Sequence, residues 1–116
     1  MSICIYHNPR CSKSRETLKL LQERGIEPKI REYLKDVPST DELKSVLAAL
    51  GISARELLRS KETEYKEAGL DDQSLSEDAI IKAMTEYPKL IERPIVINGD
   101  KARIGRPPES VLEILA

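Results

Sequence analysis

The 116-residue chain has no Phe and no Trp, and aromatic residues make up only 3% of it. Its core must therefore be built from Leu, Ile, Val and Ala. Binding of single-stranded nucleic acid by base stacking is not supported. An excess of charge of either sign is also missing, since 19 Lys and Arg stand against 20 Asp and Glu. This balance argues against a nucleic-acid partner held by bulk charge and against a polybasic membrane surface, while leaving room for a local cluster of arginines. No apolar run approaches the roughly 20 residues of a membrane helix. The N-terminus has no charged segment followed by a signal-like apolar stretch. These absences predict a soluble cytoplasmic protein with no membrane and no nucleic-acid partner. Two cysteines fit a reducing compartment, and with only one histidine beside them they argue against a structural zinc site, so no metal is expected.

What is present is a pattern of strands and helices within one domain's length. Residues 2–6 form a short apolar run, as in a strand buried on both faces. Residues 12–24 put Ser14, Thr17, Leu18 and Leu21 on one helical face, and Gly25 closes that helix. Residues 28–34 read as a second, more polar strand nearer an edge. A strand–helix–strand unit of this length implies parallel pairing through a right-handed crossover. A helical insert follows, at about residues 39–88. Ser39 with Glu42, and Ser53 with Glu56, have the spacing of capping boxes. Leu43, Val46, Leu47 and Leu50 recur behind the first box, and Gly51 stops the helix. Ser76 caps a further helix with Ile80, Ile81 and Met84, and Leu75 and Ile80 have the spacing of a hydrophobic staple. Residues 94–97 and 102–104 then flank an Asn98–Lys101 hairpin connection. Arg106-Pro107-Pro108-Glu109 opens a final helix with Pro108, Val111, Leu112 and Leu115 as its apolar face. The expected class is α/β: a mixed sheet in the order βαβ, helical insert, ββα, within a single domain spanning 1–116.

Cys11 falls between the first strand and the first helix. Helix N-terminal N–H groups lack intrahelical partners and the dipole is positive there, so a thiolate is favoured over a thiol. Arg10 and Arg15 flank it, and such surroundings lower a cysteine pKa from about 8.5. His7 can donate a hydrogen bond or add positive charge, and Ser12 and Ser14 can supply hydroxyl donors. The same features bind tetrahedral oxyanions. Position alone also allows Cys11 to be a small cap-region residue. Cys4, inside the apolar strand, reads as a small hydrophobe. The intervening strand residues advance the chain by about 13 Å, whereas a disulfide needs Cα atoms within about 7 Å. Residue 14 is Ser, so there is no Cys-x-x-Cys partner either, and resolution of an oxidised Cys11 calls for an external thiol. The phosphatase signature Cys-x5-Arg is absent: Thr17 is at the sixth position and Arg15 at the fourth.

The segments IYHNPRCSKSRETL, LLRSKETEYKEAGL, ERPIVI and IGRPPESVLEIL resemble, in order and across essentially the whole chain, the glutaredoxin-coupled arsenate reductases of the ArsC family. The resemblance implies a thioredoxin-like fold and a role in arsenic detoxification. It implies that Cys11 attacks arsenate or a similar oxyanion, that glutathione joins the arsenic centre as co-substrate, and that glutaredoxin completes release of arsenite. No bound cofactor is implied, and a monomer is expected. Carried onto this sequence, Cys11 is the nucleophile and His7 helps keep it ionised, with Ser14 and Arg15 beside them. Arg59, Arg93 and Arg106 form the oxyanion pocket, and Pro94 matches a proline that is cis next to the active cysteine. Read without the resemblance, Arg59 is first of all a solvated cation at a helix C-terminus. Arg93 and Arg106 are equally surface arginines beside prolines.

The family's resistance enzymes carry a small pair such as Gly-Thr after the cysteine, where this chain has Ser12-Lys13, with Arg10 before it. Two rival functions stay open at this level. One is a glutathione-dependent mixed-disulfide reductase, consistent with the monothiol Cys11-x-x-Ser14 form. The other is a redox-sensing transcriptional regulator of the same fold, against which the lack of Cys-x-x-Cys counts.

Overall fold

In the computed structural model, which describes residues 3–115, the first apolar run forms β1 (Ile3–Tyr6). Ser2, assigned to this strand from sequence, lies outside the described residues. β1 pairs in parallel with β2 (Lys29–Arg31) and antiparallel with β3 (Ile95–Asn98). β3 in turn pairs antiparallel with β4 (Lys101–Ile104). The result is a mixed four-stranded sheet in the order β2-β1-β3-β4, and the class is α/β as expected. β2 is shorter than the 28–34 span suggested. Its chain turns at once, with the Lys35 and Asp36 N–H groups both donating to the Glu32 carbonyl and Arg31 Nε donating to the Asp36 carbonyl at 3.0 Å. The β3–β4 hairpin is tighter than expected. Asn98 pairs with Lys101, leaving Gly99 and Asp100 as a two-residue turn in which Gly99 takes φ +65°, a value that suits glycine.

Within this description the chain divides into two compact units. One runs to Asp36 and resumes at Arg93, and the other is Val37–Glu92. The first unit holds the sheet and helix α1 (Ser12–Glu23). α1 ends as Gly25 predicted: the Gly25 N–H donates to the Gln22 carbonyl and the Ile26 N–H to the Leu21 carbonyl, the paired bonds of a Schellman motif. Ile3 and Ile5 of β1, Leu21 of α1, Val96 of β3, and Val111 and Ile114 form the core. Truncating one such side chain to Ala costs about 2–5 kcal/mol.

The C-terminal segment departs from expectation. Pro108–Ile114 is a 3₁₀ helix, not an α-helix. Three residues per turn align Pro108, Val111 and Ile114, and these are the buried positions. Leu112 and Leu115, placed on the apolar face by α-helical spacing, are only partly buried.

The second unit contains α2 (Thr40–Leu50), α3 (Ala54–Leu57), α4 (Thr63–Glu67), α5 (Glu77–Glu86) and a 3₁₀ turn at Pro88–Leu90. Both capping boxes form. Glu42 N–H donates to Ser39 Oγ at 3.2 Å while Ser39 N–H donates to Glu42 Oε1 at 3.1 Å, and Ser53 and Glu56 repeat the exchange. Such a cap is worth about 1 kcal/mol. Gly51 ends α2 in the left-handed region, and Ser76 Oγ caps α5 by accepting from Ala79 N–H. Leu43, Val46 and Leu47 of α2 and Ile80, Ile81 and Met84 of α5 are buried, as their periodicity predicts, whereas Leu50 is only partly so. α4 has no buried residue, so no apolar periodicity marked it in the sequence.

Candidate active site

The chain leaves β1 through a loop that its own polar groups pin down. His7 N–H donates to the Arg31 carbonyl at 2.8 Å, extending the β1–β2 pairing by one bond. Asn8 then organises the turn. Its side-chain Oδ1 accepts from Arg10 N–H at 3.0 Å, its carbonyl accepts from Cys11 N–H at 3.0 Å, and its N–H donates to Ser14 Oγ at 3.0 Å. Cys11 emerges as the N-cap residue of α1, in extended conformation and 8% exposed. No side chain caps this helix start, so the first-turn N–H groups are directed at the cysteine and its surroundings.

The thiol feels opposing influences. Burial pushes its pKa up. The Ser14 N–H, the hydrogen bond and charge of the Arg93 guanidinium, and the Lys13 N–H pull it down. The downward influences win, and the pKa lies below the ordinary cysteine value. Hydrogen bonds and positive charge that favour the anion are the physical reason. Arg106 Nη2 also donates to Cys11 Sγ at 3.6 Å, and Arg106 Nε donates to the Arg93 carbonyl at 2.8 Å. One arginine therefore spans from the backbone of the other to the sulfur.

Close packing holds this arrangement. Gly105 N–H donates to the Pro94 carbonyl at 2.9 Å. A Cβ at Gly105 would stand 2.5 Å from Thr17 Oγ1 and 2.8 Å from Pro94 Cγ. The missing side chain lets β4's exit approach both α1 and the Arg93–Pro94 segment. The Arg93–Pro94 peptide bond is cis, and so is Arg106–Pro107. Sequence reasoning did not single out Gly105, Asn8 or the second cis bond. A glycine at a strand exit is a recognised sign of close backbone approach, and Asn in a turn is a sign of local side-chain capping. No signal in the sequence distinguishes the second cis bond.

His7 is buried at 7% exposure, and its Nδ1 shares a 2.6 Å hydrogen bond with the hydroxyl of fully buried Ser14. Burial lowers the His7 pKa, the Glu32 carboxylate opposes this, and Arg15 adds to it. The ring is therefore neutral near pH 7. The Nδ1 bond goes to Ser14 rather than to the sulfur, and the neutral ring adds no positive charge there. Arg15 turns back and donates from Nη1 to the Pro9 carbonyl at 2.9 Å, tying the first turn of α1 to the loop. Cys11, Arg93 and Arg106 thus meet at the sulfur, with His7 and Ser14 paired in the same turn.

Arg59 belongs to the helical unit. Its N–H donates to the Leu90 carbonyl at 2.8 Å. Its Nε lies 3.3 Å from Glu62 Oε1 and its Nη1 lies 3.2 Å from Glu92 Oε1. Neither cysteine forms a disulfide. Among the described residues, no group of three or more His, Cys, Asp or Glu side chains is placed to hold a metal ion, and no helix is long and apolar enough to cross a membrane.

Residues 6–114 match the sequence profile of the ArsC family. The uncharacterized Escherichia coli protein YfgD is 61% identical over 96% of this chain and 94% of its own length. An arsenate reductase of Haemophilus influenzae is 57% identical over 99% of this chain and 100% of its own. The solved structure of an arsenate reductase from Vibrio cholerae superposes with a TM-score of 0.96 at 57% identity, covering 99% of this chain and 98% of that one.

Proposed function

The chain belongs to the ArsC family, and from that premise we propose that it is an arsenate reductase whose nucleophile is Cys11. One observation carries the reading: a guanidinium nitrogen of Arg106 donates to a sulfur at the start of an α-helix, 3.6 Å away. A thiol held in this way is ionised more readily and sits where helix N–H groups and arginines attract an oxyanion.

The cycle balances as follows. The Cys11 thiolate attacks the arsenic of a protonated arsenate, an As–S bond forms, and one oxygen leaves as water after taking up a proton. Glutathione then replaces a second oxygen, again with loss of water, to give a Cys11–As–glutathione adduct still at As(V). A glutaredoxin thiolate attacks the glutathione sulfur of that adduct. The As–S(glutathione) bond breaks, its electron pair reduces As(V) to As(III), and the glutathione and glutaredoxin sulfurs leave joined as a mixed disulfide. Hydrolysis of the remaining As–S bond frees arsenite and returns the Cys11 thiolate.

Arg93, Arg106 and the first-turn N–H groups of α1 hold the oxygens on which charge develops. His7, Ser14 and Arg15 fix the turn that aims the sulfur. No metal or bound cofactor takes part, and the need for reduced glutathione suits a cytoplasmic location.

The test is arsenite formation by the purified protein supplied with arsenate, glutathione and glutaredoxin. Turnover that needs both thiols and Cys11 is the expected result. Turnover of a glutathione mixed disulfide without turnover of arsenate would replace this reading with that of a mixed-disulfide reductase.

A further inference from the structure

We infer that Arg10 is a specificity residue for the thiol that joins the chemistry at Cys11: its guanidinium pairs with a carboxylate of glutathione and favours that thiol over uncharged ones. The inference rests on the reading of glutathione as co-substrate. Arg10 directly precedes Cys11 and is exposed. Its N–H donates to Asn8 Oδ1 at 3.0 Å, and the Cys11 N–H donates to the Asn8 carbonyl at 3.0 Å. One asparagine thus fixes the backbone of both residues, and the Arg10 side chain starts from a held position beside the nucleophile. Among the described residues, its guanidinium makes no hydrogen bond and no ion pair.

The other cations of this unit that come near Cys11 are committed. Arg15 Nη1 donates to the Pro9 carbonyl at 2.9 Å, Lys13 Nζ lies 3.6 Å from Glu16 Oε2, and Arg106 Nη2 donates to the Cys11 sulfur. Arg93 and the Ser14 and Lys13 N–H groups are what lower the thiol's pKa, and Arg10 is not among these influences. The sequence explains why Arg10 is unpaired. Residues 1–15 contain no Asp or Glu, and the first carboxylate after Cys11, that of Glu16, faces Lys13. The loop therefore presents one uncommitted cation immediately beside a cysteine that is 8% exposed. The second thiol arrives from solvent, and glutathione carries carboxylates with it. A guanidinium binds a carboxylate through charge-assisted, parallel hydrogen bonds. A neutral thiol of the same reactivity gains nothing from Arg10. The contact orients the incoming sulfur and takes no part in any bond change.

Oxidised glutathione and hydroxyethyl disulfide test this without arsenate. In either reaction the Cys11 thiolate attacks one sulfur, a mixed disulfide forms, and the other half leaves as a thiolate with the electron pair of the broken S–S bond. Rates are followed by the mass of the adduct in a Cys4→Ser background. The readout is the ratio of the glutathione rate to the hydroxyethyl rate, in which a general change in thiol reactivity cancels. Arg10→Gln should lower that ratio about threefold. Arg10→Glu, which replaces attraction by repulsion, should lower it about tenfold. Both losses should shrink as salt is added. An unchanged ratio would overturn the inference. With arsenate as substrate, Arg10→Gln should raise KM for glutathione more than KM for arsenate or for glutaredoxin. A larger rise for either of those would reassign Arg10 and overturn the inference as well. If the ratio falls as expected but the unsubstituted protein turns over no arsenate, the arsenate reading fails and the contact with carboxylate-bearing thiols stands.

Discussion

Arg106 and Arg59 carry the same guanidinium into opposite surroundings. Arg106 is anchored through Nε on a neutral carbonyl and presents Nη2 to the Cys11 sulfur. Arg59 donates from Nη1 to Glu92 Oε1, and its Nε, which makes no hydrogen bond, lies 3.3 Å from Glu62 Oε1. The neutral anchor at Arg106 Nε leaves Nη2 on the sulfur, whereas the carboxylates beside Arg59 offset its charge. The first arrangement stabilises an anion at the Cys11 sulfur, and the second holds Arg59 to carboxylates of its own helical unit. Residue type alone does not separate these two uses of arginine.

The largest expected effect removes the group that the first region serves. Cys11→Ser should lower arsenate turnover by ~10³-fold or more, measured as arsenite production with the protein confirmed as folded by circular dichroism. Next in size is the comparison itself. Arg106→Ala should lower kcat/KM for arsenate by about 100-fold. Arg59→Ala should lower it by only about tenfold, since its charge is already offset. Steady-state kinetics in the reverse order would break the contrast.

These predictions concern contacts of very different legibility. The strand-to-helix position of Cys11 and the Ser39 and Ser53 capping boxes could be read directly, because each depends on residues within one helical turn. α1 was legible to its Schellman end for the same reason. The C-terminal 3₁₀ helix was not. In Val111-Leu112-Glu113-Ile114-Leu115 the choice between burying Ile114 and burying Leu115 depends on packing against Ile3, Ile5 and Leu21, which spacing does not encode. β2 ended early because Arg31 and Asp36 close a turn. The arginines at positions 59, 93 and 106 were singled out through family resemblance, since no spacing rule links residues so far apart in sequence; of these, Arg93 and Arg106 reach the Cys11 sulfur. Gly105 was missed because its importance lies in what a Cβ would strike, namely Thr17 and Pro94.

That close approach yields a third prediction. Gly105→Ala should destabilise the fold by about 1–3 kcal/mol, seen as a lower Tm. It should also move Arg106 off the sulfur, raising the Cys11 pKa. A stability loss with an unchanged thiol titration would detach Gly105 from the placement of Arg106.

The smallest effect concerns His7. Its folded pKa lies below its unfolded value of about 6.5. The unfolded chain therefore binds the proton first as pH falls, so stability declines below about pH 6.5 as pH moves down towards the folded value. His7→Gln should flatten that part of the curve in urea unfolding followed across pH. An unchanged acid slope would mean that His7 is not the group responsible.

The central claim is that positive charge and helix N–H groups hold Cys11 as a thiolate. It is tested most directly by titrating Cys11 through its ultraviolet thiolate absorbance in a Cys4→Ser background, with and without Arg106→Ala. The account predicts a midpoint below the ordinary value of about 8.5 that rises when Arg106 is removed. A midpoint at or above 8.5 that does not respond to Arg106→Ala would contradict it.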